Sequence, residues 1–387
     1  MTATARAAIA VFGVVMALVG AVAPVVSARL ALGLDDLGTV FLVMNAAMLT
    51  ASLVLGLTVD RLGVGRPLVG GAWLVAVGLL VMSRASDVAV LLACAAALGA
   101  GGGLLNGLAN MIVADQHGDE RARGVALNVL GVYFGIGALV LPFTVGLLMA
   151  RVGLATVLDA TAALCVLLGV VALAQRWPRP VVRIGWPIAR AGGWVRQPAI
   201  AALAVLLFFQ SGNEFLLGGY ISTLFSGELG LTSAGAAYSV ALFWAAIMVS
   251  RLAMSRVLRR TTPDAVVFGA AFGGAVACSA LALVPSAPLG LAATAAVGAL
   301  LAPIFPTVLG LAAARAEGDT APLFGVLFAV ALAGGMTMPW LAGQLAEALG
   351  TRVAFVVAAI DFVVVAVAMY ASRAFRGRST QRHPATT

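Results

Sequence analysis

Lysine is absent from this chain of 387 residues, and all 23 of its basic side chains are arginine. Charge of either sign is scarce, at 10% of residues against roughly 25% in a soluble domain. A water-clothed globule of this length is thereby excluded, and a hydrophobic content of 62% with a mean hydropathy of +1.09 makes lipid the main solvent of the chain. Cysteine is nearly lacking: Cys94, Cys165 and Cys278 each sit inside an apolar run, with no CxxC or Cys/His spacing. That excludes a disulfide framework or a thiolate metal site and leaves them as small packing residues. The histidines, His117 and His383, fall in a connecting segment and the tail, so neither is a credible ligand or catalyst. No metal and no cofactor is expected. The run Gly99 to Gly103 has no strand before it and no Lys-Ser/Thr after it, so it reads as close helix packing rather than a phosphate loop. No hydrolase, kinase or nucleotide-binding motif is present, and neither an enzyme nor an ATP-driven pump is expected.

What the chain has instead is long apolar runs, near 7–28, 37–59, 67–83, 88–113, 124–149 and 154–175, and again near 198–225, 233–255, 264–284, 288–314, 322–346 and 352–372. Most reach the ~20 residues a helix needs to cross ~30 Å of hydrocarbon. Backbone polar groups in lipid leave helices as the choice for runs this long. The first run is longer than a secretory h-region and is followed by eleven like it, so it is read as a transmembrane helix. The fold class expected is all-α and polytopic, with 12 spans in two six-helix bundles.

Sidedness follows from the arginines, whose net charge of +8 is spread in short inter-run segments rather than along one nucleic-acid-binding face. When alternate connections are assigned to opposite sides, only Arg29, Arg84, Arg151 and Arg352 fall on one of them. The other side collects the remaining arginines, including Arg61, Arg66, Arg251 and Arg256, which places both termini in the cytoplasm of a cell whose inner (plasma) membrane holds the protein. The organisation expected is an N-terminal bundle at 1–175, an interfacial linker rich in Trp, Pro and Arg at 176–196, a C-terminal bundle at 197–373 and a cytoplasmic tail at 374–387.

The two halves repeat each other. Pro142, Gly137 and Gly146 match Pro339, Gly334 and Gly343, and Gly99 matches Gly298. The segment Gly56-Leu-Thr-Val-Asp60-Arg61-Leu-Gly63-Val-Gly65-Arg66 has a partner at Arg251-Leu-Ala-Met-Ser255-Arg256, where Ser255 stands at the position of Asp60. An internal repeat of this kind is the mark of a transporter built from two halves.

With Gly56, Asp60, Arg61, Gly63 and Arg66 between the second and third runs, the chain resembles the major facilitator superfamily over nearly its full length. The resemblance implies a central cavity lined by helices 1, 4, 7 and 10 plus 2, 5, 8 and 11, with alternating access to it. It also implies that the loop latches the bundles on the cytoplasmic side, with the Asp near the start of helix 11, where a helix N-terminus favours a carboxylate. Arg256, in the second copy, is counted with this gate and mainly anchors topology. Within the superfamily the chain is similar to the fucose permease-like sugar:proton symporters, in GGGLLNGLANMIVAD, SGNEFLLGGYIST, FWAAIMVSRLAMSRVLRR and GALLAPIFPTVLGLA. It lacks the helix 4 arginine of drug antiporters, and helix 5 reads Leu141-Pro142 with no glycine pair after it. It also departs from the symporters: helix 1 has no carboxylate, and Asn106 stands where helix 4 would carry Glu. An amide hydrogen-bonds a hydroxyl but releases no proton near neutral pH.

Among polar residues inside the runs, Glu214 is the first substrate- or proton-binding candidate, since an ionisable side chain in hydrocarbon is costly unless it serves a function. Gln210, Asn213 and Tyr220 recur around it at helical spacing, and Gly212, Gly218 and Gly219 would let that helix bend. Asn106, Asn110, Asn45 and Tyr133 are further cavity candidates, and Trp244 and Trp340 offer ring faces for a sugar. Each of these also has a plain packing reading. Asp159 and Asp361 are expected to be inter-helix contacts. The expectation is a secondary transporter, monomeric, moving a small polar solute such as a sugar, with protons as a possible coupling ion. The alternative is efflux of a metabolite or drug.

Overall fold

A computed structural model describes residues 1–116, 120–177, 197–257, 260–315 and 321–382. His117, His383 and most of the expected linker lie outside the described residues, as does the side chain of Arg256. The first four helices are α1 (Thr2–Leu30), α2 (Leu34–Leu62), α3 (Gly65–Met82) and α4 (Val88–Asp115). A helical stretch from Glu120–Leu173 is broken at Gly153, whose φ of 79° and ψ of 155° suit glycine, giving α5 (120–152) and α6 (154–173). There follow α7 (Pro198–Gly227), α8 (Ser233–Val257), α9 (Pro263–Leu283), α10 in two pieces (Ala287–Leu301 and Ile304–Ala313), α11 (Ala321–Leu349) and α12 (Val353–Arg382).

Eleven helical stretches among the described residues are long and apolar enough to cross a membrane, and one of these runs 49 residues. At 1.5 Å per residue that stretch is about twice the hydrocarbon thickness, so the turn at Gly153 makes it two crossings. The count of twelve expected from the apolar runs thus holds. The run expected at 288–314 is not one straight helix, because Pro303 interrupts it. Proline has no N–H to give and leaves the carbonyl four residues earlier unpaired. That carbonyl, Ala299 O, accepts instead from the Ser250 hydroxyl of α8 at 2.6 Å.

The end carrying Thr2, Leu62 and Gly65 is called the termini end, and the end carrying Leu30, Leu34 and Gly153 the far end. Apolar side chains lie exposed along α3, α6, α9 and α12, among them Val77, Leu164, Phe272 and Val363. Other helices expose apolar side chains too, such as Val140 of α5 and Val249 of α8, but the main contacts between the bundles avoid these four. The eight others pack inward, with α1 against α5, α2 against α4, α7 against α11 and α8 against α10 inside the bundles. Across the bundles α2 meets α11, α5 meets α8, and α1 meets α7 and α8.

The repeat is visible in the packing. A Cβ on Gly137 of α5 would stand 1.8 Å from Ala10 O of α1, and one on Gly334 of α11 would stand 1.8 Å from Phe208 O of α7. Both glycines let backbones touch, the small-residue packing that replaces a hydrophobic drive in lipid. The arginines of the far end also act in parallel. Arg29 donates to the last carbonyls of α3, Met82 O at 2.9 Å and Ser83 O at 2.8 Å, and Arg352 donates to Ala282 O of α9 at 3.0 Å. Carbonyls at a helix C-terminus lack intrahelical donors, and a guanidinium supplies them.

Candidate functional site

Glu214 lies near the middle of α7, almost fully buried, and its neighbours come from α7 and α8. Its Oε1 is 3.6 Å from Nη2 of Arg251, and its Oε2 accepts from Gln210 Nε2 at 3.4 Å. Both contacts are long for their types. Arg251 Nε and Gln210 Oε1 are buried without a hydrogen-bond partner. Three polar side chains therefore converge with donors and acceptors left over, so the ion pair is not a closed one and keeps capacity for further hydrogen bonds. Arg251 was expected among the cations of a connecting loop. It lies within α8 (Ser233–Val257), with its guanidinium turned toward Glu214.

Toward the far end the next layer is aromatic. Trp244 sits seven residues, or two turns, before Arg251 on α8, and its indole meets Phe134 of α5 at 5.8 Å and Phe243 at 5.5 Å, both edge-on. Phe134 in turn contacts Phe12 of α1 at 5.5 Å. These rings join the bundles directly above the Glu214 cluster, and the Trp244 Nε1 within them has no acceptor.

Beyond the rings the bundles are closed by backbone. A Cβ on Gly20 of α1 would stand 1.7 Å from Gly218 O of α7, so the two helices are in main-chain contact. Pro24 removes the usual donor to Gly20 O, and the Ser222 hydroxyl of α7 replaces it at 2.5 Å. Tyr220, stacked near Phe41, shares its hydroxyl proton between Leu34 O of α2 and Pro339 O of α11, each at 3.1 Å. Gly343 leaves the room, since a Cβ there would be 2.5 Å from the phenol oxygen. At the rim, Glu347 of α11 accepts from Leu34 N, the first N–H of α2, at 2.7 Å.

The other sequence candidates are dispersed. Asn213, next to Glu214, points away from the cluster and donates to Ala358 O of α12 at 3.0 Å. Asn45 is buried in α2 and donates to Phe41 O at 3.0 Å. Asn106 and Asn110 pair with each other on α4, Nδ2 to Oδ1 at 3.0 Å, with Asn110 exposed. Tyr133 lies under the Arg6 guanidinium, 5.3 Å from the ring centroid. Trp340 is partly exposed beside Gly38, at the far-end contact of α11 with α2. In the α2–α3 segment Gly56 is buried, Asp60, Arg61 and Arg66 are exposed, and Gly63 turns the chain with φ 73°. Trp177 packs on Gly65 there.

Three groups were not picked out as ligand candidates from sequence: Arg251, Ser222 and Asp361. The signal for Ser222 is Pro24, which announces a carbonyl in need of a donor but not where the donor is. Asp361 of α12 is buried, with Oδ2 unpartnered. Asp159 of α6, expected to be an inter-helix contact, pairs instead with Arg84 in the turn after α3 at 2.6 Å. Among the described residues no group of His, Cys, Asp and Glu is placed to hold a metal.

The family model described as Major Facilitator Superfamily matches residues 7–317. A glucose/galactose transporter of Brucella abortus (strain 2308) is 27% identical over 165 residues, 42% of this chain and 40% of that protein. The chain thus matches well under half the length of this curated relative. Among solved structures, a point mutant of the nucleoside transporter NupG superposes with a TM-score of 0.77 at 14% identity, covering 95% of this chain and 98% of the other. A bacterial homolog of the human lysosomal transporter Spinster, inward-facing and occupied, superposes with a TM-score of 0.76 at 13% identity, covering 96% of each chain. At these identities the superpositions speak for the fold alone.

Proposed function

Because the chain belongs to the Major Facilitator Superfamily, we propose that it is a secondary transporter for a small, hydroxyl-rich solute of the hexose kind, bound at Glu214, Arg251 and Gln210 beneath Trp244. The observation that carries this reading is the under-used polar cluster itself. A sugar hydroxyl can donate to the Glu214 carboxylate and accept from the Arg251 guanidinium, which fills the 3.6 Å gap between them. The ring face of Trp244 suits the apolar side of a pyranose, and the sugar named for the Brucella relative is of this class. Asn106, Asn110, Asn45 and Tyr133 lie outside this cluster and are assigned no direct part in binding. Asn213, Tyr220 and Trp340 act on helix contacts instead.

The sequence places the termini end in the cytoplasm. On that assignment the Gly20–Gly218, Tyr220 and Glu347 contacts are the outer gate, drawn shut here. The inner gate is the segment carrying Gly56, Asp60, Arg61, Gly63 and Arg66, with Arg256 opposite, and it fastens the bundles when the outer contacts part. Protonation of Glu214 releases Arg251 to the solute and couples uptake to a proton, with the protein working as a monomer in the plasma membrane. A second reading, export of a metabolite, is favoured by the lack of acids on α1 and α4.

Uptake of labelled galactose into proteoliposomes, with and without an inward proton gradient, tests both. Gradient-driven accumulation that falls at least tenfold in Glu214→Gln supports proton-coupled uptake. Undiminished accumulation in that variant removes Glu214 from the mechanism, and efflux alone supports the second reading.

A further inference from the structure

The C-terminal bundle holds a second buried carboxylate that the solute site does not use. Asp361 is 2% exposed, on the inward face of α12, between the lipid-facing Ile360 and Val363. Its Oδ2 has no hydrogen-bond partner. One turn away on the same face is Ala358, whose carbonyl accepts from Asn213 Nδ2 at 3.0 Å, and the other end of that amide, Oδ1, is also buried and unpartnered. Asp361 Oδ2 and Asn213 Oδ1 are thus both buried acceptors without a donor, on residues linked through one turn of α12.

The groups facing this point supply no charge to balance a carboxylate. From α9 the titratable side chains are the buried thiol of Cys278 and Asp264, the latter in the first turn of that helix. On α7, Glu214 is engaged with Arg251 and Gln210, and Tyr220 with Leu34 and Pro339. On α11 the acid is Glu347, at the far rim on Leu34 N. An ionised carboxylate here would be an uncompensated charge in hydrocarbon, which costs far more than carrying a proton.

We infer that Asp361 is a proton-binding site: its carboxyl is held as the neutral acid, its O–H donates to Asn213 Oδ1, and that proton fastens α12 to the site-bearing helix α7. One proton satisfies both orphaned oxygens, and no covalent or redox step is needed. The site is separate from the Glu214 cluster, because Asn213 and Glu214 are consecutive on α7 and point to different helices. Loss of the proton would leave two acceptors opposed and loosen α7 from its outer support.

Infrared difference spectra of the full chain in lipid at neutral pH, wild type minus Asp361→Asn, test the protonation directly. The expected result is a carboxylic-acid carbonyl band present in the wild type and missing in the variant, moving to higher frequency in Asn213→Ala. Loss of carboxylate bands instead would overturn the inference, and an unmoved band in Asn213→Ala would overturn the partnership. Should Asp361→Asn not fold, isotope labelling of the aspartate carboxyls in the wild type reads the same band. In the second arm, protection factors of the α7 amides, each taken against the base-catalysed intrinsic exchange rate at the same pH, are expected to fall severalfold as alkali removes the band, and to be unchanged over that range in Asp361→Asn, whose carboxamide N–H can replace the donor. Equal pH dependence in both would sink the fastening role. Neither arm uses a solute, and Glu214→Gln is expected to leave the band in place, so the sugar reading and this one fail separately.

Discussion

The two bundles share a skeleton and differ in their interiors. Gly137 against Ala10 and Gly334 against Phe208 are the same contact made twice, and Arg29 and Arg352 finish α3 and α9 in the same way. Inside, the N-terminal bundle relies on main-chain proximity and on amides that bond their own helix, as Asn45 and Asn110 do. The C-terminal bundle carries Glu214, Arg251, Gln210, Asn213 and Asp361, with four of their polar atoms unpartnered. A duplicated scaffold can therefore be symmetric in what holds it up and lopsided in what it binds. Structural glycines are fixed by backbone distance in both halves, whereas buried polar groups are costly and persist where they serve a ligand or a proton.

The comparison breaks most visibly at its symmetric part. Gly137→Leu and Gly334→Leu should each destabilise by at least about 3 kcal/mol, since the side chain would have to displace backbone. Thermal unfolding in detergent should show two comparable losses, and a mild effect in one half would show that the repeat is not a mechanical one. Arg251→Gln comes next. It should lower galactose transport at least tenfold with little change in thermal stability, whereas a variant as unstable as the glycine pair would mean that Arg251 serves packing.

A smaller effect is expected at the contact between the halves. Tyr220→Phe removes one shared proton worth about 1 kcal/mol, a shift of several-fold toward the open far end. Labelling of a cysteine placed at Ser222 should quicken accordingly, and an unchanged rate would put the closure elsewhere. The smallest effect belongs to Asp87, the N-cap of α4, whose carboxylate accepts from Val90 N at 2.9 Å. That bond, with a lesser one from Ser86, holds its pKa below the ordinary carboxylate value. Its stabilisation is present above the unfolded-state pKa and fades as pH falls through the lower folded one. Asp87→Ala should give a slight loss of thermal stability at neutral pH that vanishes in acid, and a loss that persists in acid would assign it to something other than the charge.

Much of this was legible in the amino-acid order. Twelve apolar runs, the Gly137/Gly334 match and the proline pair gave the architecture, since lipid leaves the backbone few options. Glu214 was legible because a lone acid in an apolar run is conspicuous. Its partner was not: Arg251 reads as the first cation of a cytoplasmic basic segment, and only the packing of α7 against α8 brings it to Glu214. The direction of Asn213 was equally hidden, because neighbours on a helix differ by about 100° and nothing local says which helix stands on each side. Ser222 and Ser250, which replace donors missing at Pro24 and Pro303, act across 202 and 49 positions. Such partnerships exist only after the helices have assembled.

The rim contact of Glu347 with Leu34 N has a thermodynamic consequence of its own. The first N–H of α2 is capped not by its own chain segment but by a carboxylate lent from the opposite bundle. Parting the far end therefore frays a helix terminus as well as separating two surfaces, and the terminus must then be solvated by water. Because the lent charge is exposed, salt in the medium bathing that end weakens the cap and leaves the buried contacts untouched. Ionic strength on one side of the membrane is thus a dial on how long the protein dwells in each of its states.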